Sequence, residues 1–228
     1  METTQMIIKY LICFSGFFIL SWLAKKDDGN KLMDDKGPVR NSGTLIGLQI
    51  GGILWMGLVP VFIFKRSFEA VIFGDATPQV LPLILFIVLI GATVFVAANQ
   101  SKKDVASIQN KEAAAAVFNS SFVTRYMAAR FIFLCVYEMF FRGFLLTDSI
   151  DQWGTTIAII VNIVLYMLIH AFSGKKEIIG CIPFGLALCA ASILFNAVWP
   201  AIVLHLALSF TYEISLVNRI RQSLKPVV

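Results

Sequence analysis

Hydrophobic residues fall along this chain in long unbroken runs, not at alternating or amphipathic spacings. The runs cover residues 6–24, 44–64, 79–98, 124–146, 155–172, 178–195 and 198–217. About 20 apolar residues in a helix span the roughly 30 Å of a bilayer's hydrocarbon. In that medium the backbone must satisfy its own hydrogen bonds, so runs of this length read as helices. The pattern predicts an all-α, polytopic transmembrane bundle of about seven spans. The first run is longer than a signal-peptide core, and no small-x-small cleavage site follows it. It reads as a retained first helix. The segment Ala113–Phe118 reads as a short surface helix in the loop before the fourth span.

Polar residues between the runs set the orientation. Lys25, Lys26, Lys31, Lys36 and Arg40 share one side with Lys102, Lys103, Lys111, Arg125, Lys175, Lys176, Arg219, Arg221 and Lys225. Only Lys9, Lys65 and Arg66 fall on the other side. Basic loops stay in the cytoplasm, so the N-terminus is expected outside and the C-terminus inside. Composition agrees: 58% of the 228 residues are hydrophobic, 14% are charged, and mean hydropathy is +0.80. The net charge of +5 would suggest nucleic acid in a soluble protein. Here the basic residues border apolar spans, so their partners are anionic headgroups and no nucleic-acid partner is expected. Cys13, Cys135, Cys181 and Cys189 all lie within apolar runs without metal-type spacing, and read as packed thiols, not a disulfide framework.

Ionisable residues inside the spans require an account, since each costs about 2.5–3.5 kcal/mol on insertion scales. They are Arg130, Glu138 and Arg142 in the fourth span, His170 in the fifth, and His205 and Glu213 in the seventh. Both histidines of the chain are therefore intramembrane. The first three spans hold almost none and read as scaffold. Glu138 and Arg142 stand four residues apart, on one helix face. They make either an internal ion pair or a polar face towards water. An adjacent guanidinium keeps a carboxylate ionised, and such a carboxylate can take a proton from water. Tyr166 and His170 also share a face, as do His205, Ser209 and Tyr212, which could present a donor to an oxyanion. No His-Glu-x-x-His, Gly-x-Ser-x-Gly or phosphate-cradling glycine loop occurs. No internal repeat appears, which weighs against an inverted-repeat transporter. At about 1.5 Å per residue, Glu138 and His205 fall in the outer half of the membrane. His170 falls nearer the cytoplasmic end, roughly 10 Å away.

Tyr137-Glu138-Met139-Phe140-Phe141-Arg142-Gly143 resembles the first signature of the CPBP intramembrane proteases (the type II CAAX prenyl endopeptidase, or Abi, family), in which two glutamates precede an arginine. Tyr166 to His170 resembles the second signature. Gly185 to Leu188, followed by Phe195 to His205, resembles the third. The resemblance covers residues 124–217 and implies a CPBP-type core there. Residues 1–123 then form scaffold helices and loops, and 218–228 a basic cytoplasmic tail. It implies an intramembrane, glutamate-dependent endopeptidase acting on a membrane-associated or lipid-linked peptide or protein tail, in a bacterial plasma membrane. Carried over by position, the site is Glu138, Arg142, His170 and His205, with Ser209 where the family has asparagine. No cofactor is implied, although a metal at Glu138, His170 and His205 stays open. Besides Ser209, a second departure and an addition bear on activity. Tyr137 replaces the first glutamate, and a phenol with a pKa near 10 is a poor base at neutral pH. Gly174-Lys175-Lys176-Glu177 follows the second signature, as in a variant branch. Glu177 is either a substitute carboxylate or a solvated turn residue. The alternative function is a catalytically inactive relative that binds a membrane partner, as a scaffold or immunity-type protein.

The charge asymmetry generates a direct test. On a cysteine-free background, an impermeant thiol reagent applied from outside should label a cysteine at Thr4 and spare one at Ser223; the reverse pattern would overturn the orientation.

Overall fold

The computed structural model describes residues 3–34, 37–65, 72–74, 79–108 and 111–224. Lys36, Arg66 and Lys225, which enter the charge asymmetry, lie outside the described residues. The chain is a bundle of helices: α1 (Thr3–Lys26), α2 (Ser42–Phe64), α3 (Val80–Ser107), α4 (Lys111–Val117), α5 (Ser120–Glu138), α6 (Leu146–Trp153), α7 (Thr155–Ile169), α8 (Lys175–Phe195) and α9 (Trp199–Gln222). Two residue pairs, Met33 with Pro38 and Asp34 with Gly37, form a small antiparallel ribbon in the first loop. Six helical stretches are long and apolar enough to cross a membrane: α1, α2, α3, α7 with its 3₁₀ extension to Phe172, α8 and α9. This is an integral membrane protein.

The stretch expected as the fourth span, 124–146, is not among those six. It lies in a continuous helical run in which α5 passes through a π-helical segment (Met139–Leu145) into α6. Its interior charges, Glu138 and Arg142, are fully enclosed by neighbouring helices. Several helices also outrun their apolar cores. α5 begins at Ser120 because the Asn119 side chain accepts from the Phe122 backbone N–H at 2.9 Å, which satisfies an orphan donor of the first turn. α3 continues to Ser107 with Gln100 donating to Asp104 one turn on, at 2.8 Å. Ala113–Phe118 is close to α4, but Ala114 and Phe118 are buried beneath the first loop and α9, not spread on a surface.

Packing divides into two regions. A column of aromatic rings from α1, α5, the π segment and α7 fills the centre: Phe17, Phe133, Tyr137, Phe140, Phe141 and Tyr166. The backbones come close there, and a Cβ at Gly52 would overlap the rings of Phe133 and Phe17. The second cluster sits at the expected cytoplasmic end, where Leu32 and Val39 of the first loop pack on Phe122, Tyr126, Leu216 and Ile220. The outer surface is apolar, with Val80, Leu81, Val88 and Phe95 of α3 well exposed. That suits lipid as solvent, since acyl chains are as apolar as leucine. α9 packs along α3, α5 and α8. Its polar residues His205, Ser209 and Glu213, each four apart, therefore line the interior facing α5.

Candidate active site

Glu138 ends α5 and has no exposed surface. Its Oε1 stands 2.5 Å from His205 Nδ1 and accepts from Arg142 Nη1 at 3.3 Å. Its Oε2 pairs with the same Arg142 nitrogen at 3.1 Å. A carboxylate only accepts. Its bond to His205 therefore places a proton on Nδ1 and leaves Nε2 as the acceptor of a neutral ring.

The Arg142 guanidinium carbon lies 4.8 Å from the centroid of the Tyr166 ring, within cation–π range. Tyr166 is also the link between the two histidines. Its ring centroid is 4.7 Å from that of His170 and 6.2 Å from that of His205. His170 opens the 3₁₀ turn after α7, is half-buried, and its Nδ1 lies 2.9 Å from the Tyr166 carbonyl oxygen. The carbonyl can only accept, so His170 also turns a proton-free Nε2 away from its own helix. The gap in depth expected from helix rise is thus bridged by a tyrosine ring. Glu138 and His205 touch, and His170 joins them across Tyr166.

The other expected site residues sit elsewhere. Ser209 Oγ accepts from Arg130 Nη2 at 3.3 Å, in a second buried cluster between α2, α5 and α9. There Tyr126 donates to Glu213 at 2.8 Å, Arg130 Nε lies 3.5 Å from Glu213, and Gln49 accepts from Arg130 Nη1 at 3.4 Å. Glu177 lies in the first turn of α8 with its side chain 46% exposed, paired with Lys31 at 3.0 Å. The same lysine donates to the Ser173 carbonyl at 2.5 Å, and Asn30 donates to that of Phe172 at 3.1 Å. Glu177 thus ties the first loop to the turn after His170, and the contacts made by Glu138 do not include it. The four cysteines are free thiols, three of them buried. Among the described residues no three His, Cys, Asp or Glu side chains form a group able to hold a metal ion, and Glu138 already holds Arg142 and His205. No step is therefore routed through a metal.

Sequence reading missed Asn162. It is fully buried in α7 and donates to the Phe141 carbonyl at 2.7 Å, while Cys189 Sγ lies 3.5 Å from its Oδ1. Phe141 is inside the π segment, where the widened turn leaves carbonyls without their α-helical donors. The Phe141 carbonyl accepts from the Leu146 backbone N–H, and Asn162 adds a second donor to it between Glu138 and Arg142. The available signal was a lone amide in an otherwise apolar span.

Residues 114–211 match the family described as type II CAAX prenyl endopeptidase Rce1-like. No curated protein and no solved structure matches the chain.

The Asn162 contact predicts a stability cost. Asn162→Leu removes the second donor to the Phe141 carbonyl, which keeps its backbone bond from Leu146. Losing one such bond, worth about 0.5–1.5 kcal/mol, should lower the unfolding free energy in detergent by that order. Cys189→Ala, which leaves the Phe141 bond intact, should cost clearly less. Equal losses in the two variants would remove the special role of the amide.

Proposed function

We propose, from the match of residues 114–211 to the type II CAAX prenyl endopeptidase Rce1-like family, that the chain is a member of that family and a glutamate-dependent intramembrane endopeptidase. Its substrate is a hydrophobic or lipid-linked peptide tail held at the bilayer, in a bacterial plasma membrane with the C-terminus cytoplasmic. The observation that carries the reading is Glu138, buried within the matched region and held by Arg142 and His205.

The chemistry is hydrolysis of a peptide bond. Glu138 takes a proton from water as the water oxygen adds to the scissile carbonyl carbon. Arg142 pairs with the carboxylate and His205 orients it. His170 Nε2 accepts the water's second proton in a hydrogen bond and aims the nucleophile. Collapse of the tetrahedral adduct breaks the C–N bond, and the proton on Glu138 passes to the leaving amine. One water is consumed, giving a new carboxylate and a new amine. The resemblance would give charge on the carbonyl oxygen to His205 and Ser209, but here His205 Nδ1 faces Glu138 and Ser209 is engaged by Arg130.

A second reading is favoured by one specific feature: Tyr137 stands where the family's first glutamate would, enclosed among aromatic rings. On that reading the polar cluster is a structural ion pair, and the protein binds a membrane partner without cleaving it.

Purified protein in proteoliposomes, offered lipid-anchored tail peptides with products read by mass spectrometry, separates the two. Glu138→Gln keeps shape but cannot take up a proton. It should lower the rate by about 10²–10⁴-fold, the range of general-base catalysis. Glu177→Gln should leave the rate within about twofold, because the salt bridge it breaks is exposed. Cleavage that survives Glu138→Gln would remove this carboxylate from the reaction, and absence of cleavage by the unmodified protein would favour the binding role.

A further inference from the structure

Tyr137 carries a polar atom that the fold leaves unused. Its side chain is buried, and its hydroxyl has no hydrogen-bond partner. The ring is packed on every side. It stacks on Phe141 at 4.6 Å, lies 5.5 Å from Phe133 and 6.3 Å from Phe17, and meets His205 edge-on at 5.8 Å and Tyr166 at 6.2 Å. Three of those five neighbours are phenylalanines, in a chain with 20 of them. A phenylalanine would fill the same cage without desolvating a hydroxyl. Buried tyrosine hydroxyls ordinarily find a partner, and each exception calls for an explanation.

The surroundings say what partner fits. The ring meets Tyr166, which lies over Arg142, and His205, which holds Glu138, the groups that make the candidate site. A phenol at neutral pH is an O–H donor and not a base, so its partner is an oxygen that gains charge during the reaction. Arg142 Nε and Nη2 are also buried without a partner, but that guanidinium is committed through Nη1 to the Glu138 carboxylate. His205 gives its Nδ1 proton to Glu138, and a neutral ring then has none on Nε2. Ser209 is engaged by Arg130 in the neighbouring cluster.

Resting on the endopeptidase reading, we propose that the Tyr137 hydroxyl donates a hydrogen bond to the carbonyl oxygen of the scissile peptide as it becomes an oxyanion. Tyr137 is then a catalytic residue. The two departures from the family's signatures compensate each other: the tyrosine in place of a glutamate supplies the donor that the serine in place of an asparagine does not. No proton is transferred. The hydrogen bond strengthens as negative charge builds on the carbonyl oxygen and relaxes when the C–N bond breaks.

Tyr137→Phe in proteoliposomes tests this, with thermal stability and cleavage kinetics measured on the same preparation. Losing one oxyanion donor lowers kcat by about 10²–10³-fold, and KM should stay within about twofold because the bond forms only as charge develops. Tm should hold or rise, since the variant removes an unpaired buried hydroxyl. Opposite movement of stability and rate is a signature that a merely structural tyrosine would not give. Unchanged kcat overturns the proposal and leaves the endopeptidase standing, whereas absence of cleavage by the unmodified protein overturns both. If Tyr137→Phe fails to fold, 3-fluorotyrosine at position 137 keeps the ring and acidifies the hydroxyl. A kcat altered by more than twofold then supports the donor role, and an unaltered kcat overturns it.

Discussion

A carboxylate with no exposed surface, in a helix surrounded by apolar spans, needs other groups to replace water around it. Glu138 is that carboxylate, and the arrangement of the C-terminal half follows from satisfying it. Arg142 meets it from one turn along the same helix, and His205 from α9. Removing one member of such a buried pair costs about 3–5 kcal/mol, because the other is left uncompensated. The pair therefore fixes how α5 and α9 face one another. The same facing direction aligns the second cluster, in which Arg130 and Tyr126 of α5 meet Ser209 and Glu213 of α9. Residues four apart on two antiparallel helices make one polar seam through an otherwise apolar bundle.

The π segment is part of the same constraint. Arg142 must reach back to Glu138 while its guanidinium lies over Tyr166 of α7, and it sits on the widened turn that begins immediately after Glu138. The widened turn loosens the backbone there, and Asn162 closes it from the opposite helix. α7 thus contributes three things from one face: a second donor to the Phe141 carbonyl of the π segment, a ring over the arginine, and His170 at its end. Lys31 and Asn30 of the first loop hold the turn that follows His170, so residues outside the matched region also position this end of α7.

Much of this was legible in the sequence because lipid imposes strong rules. Long apolar runs could only be helices, and rare charges within them could only be paired or functional. The four-residue spacing of Glu138 and Arg142 predicted their contact, but the face read as His205, Ser209 and Tyr212 proves to be His205, Ser209 and Glu213, with Tyr212 turned to Asp104 of α3. What could not be read was pairing between distant segments. Nothing in the local pattern says that Ser209 turns to Arg130 and away from His205, or that Asn162 seeks a carbonyl 21 residues back in the chain. The helix ends were misjudged for a related reason. Polar caps such as Asn119 extend helices past the point where hydropathy falls, and hydropathy is blind to caps. The depth conflict at His170 arose from counting rise along straight helices, which omits the reach of a side chain as large as Tyr166.

The chain has only two histidines, one bonded to Glu138 and the other packed on Tyr166, so the central contact can be observed without a substrate. Nitrogen-15 labelling of histidine in lipid bilayers gives two imidazole signatures. If Glu138 and His205 share the short bond described, one ring should be the Nδ1-protonated tautomer with its proton shifted far downfield of ordinary imidazole N–H signals. Glu138→Gln should abolish that shift while the His170 ring stays close to its original position. A His205 ring protonated only on Nε2, or a spectrum indifferent to Glu138→Gln, would contradict the account at its foundation.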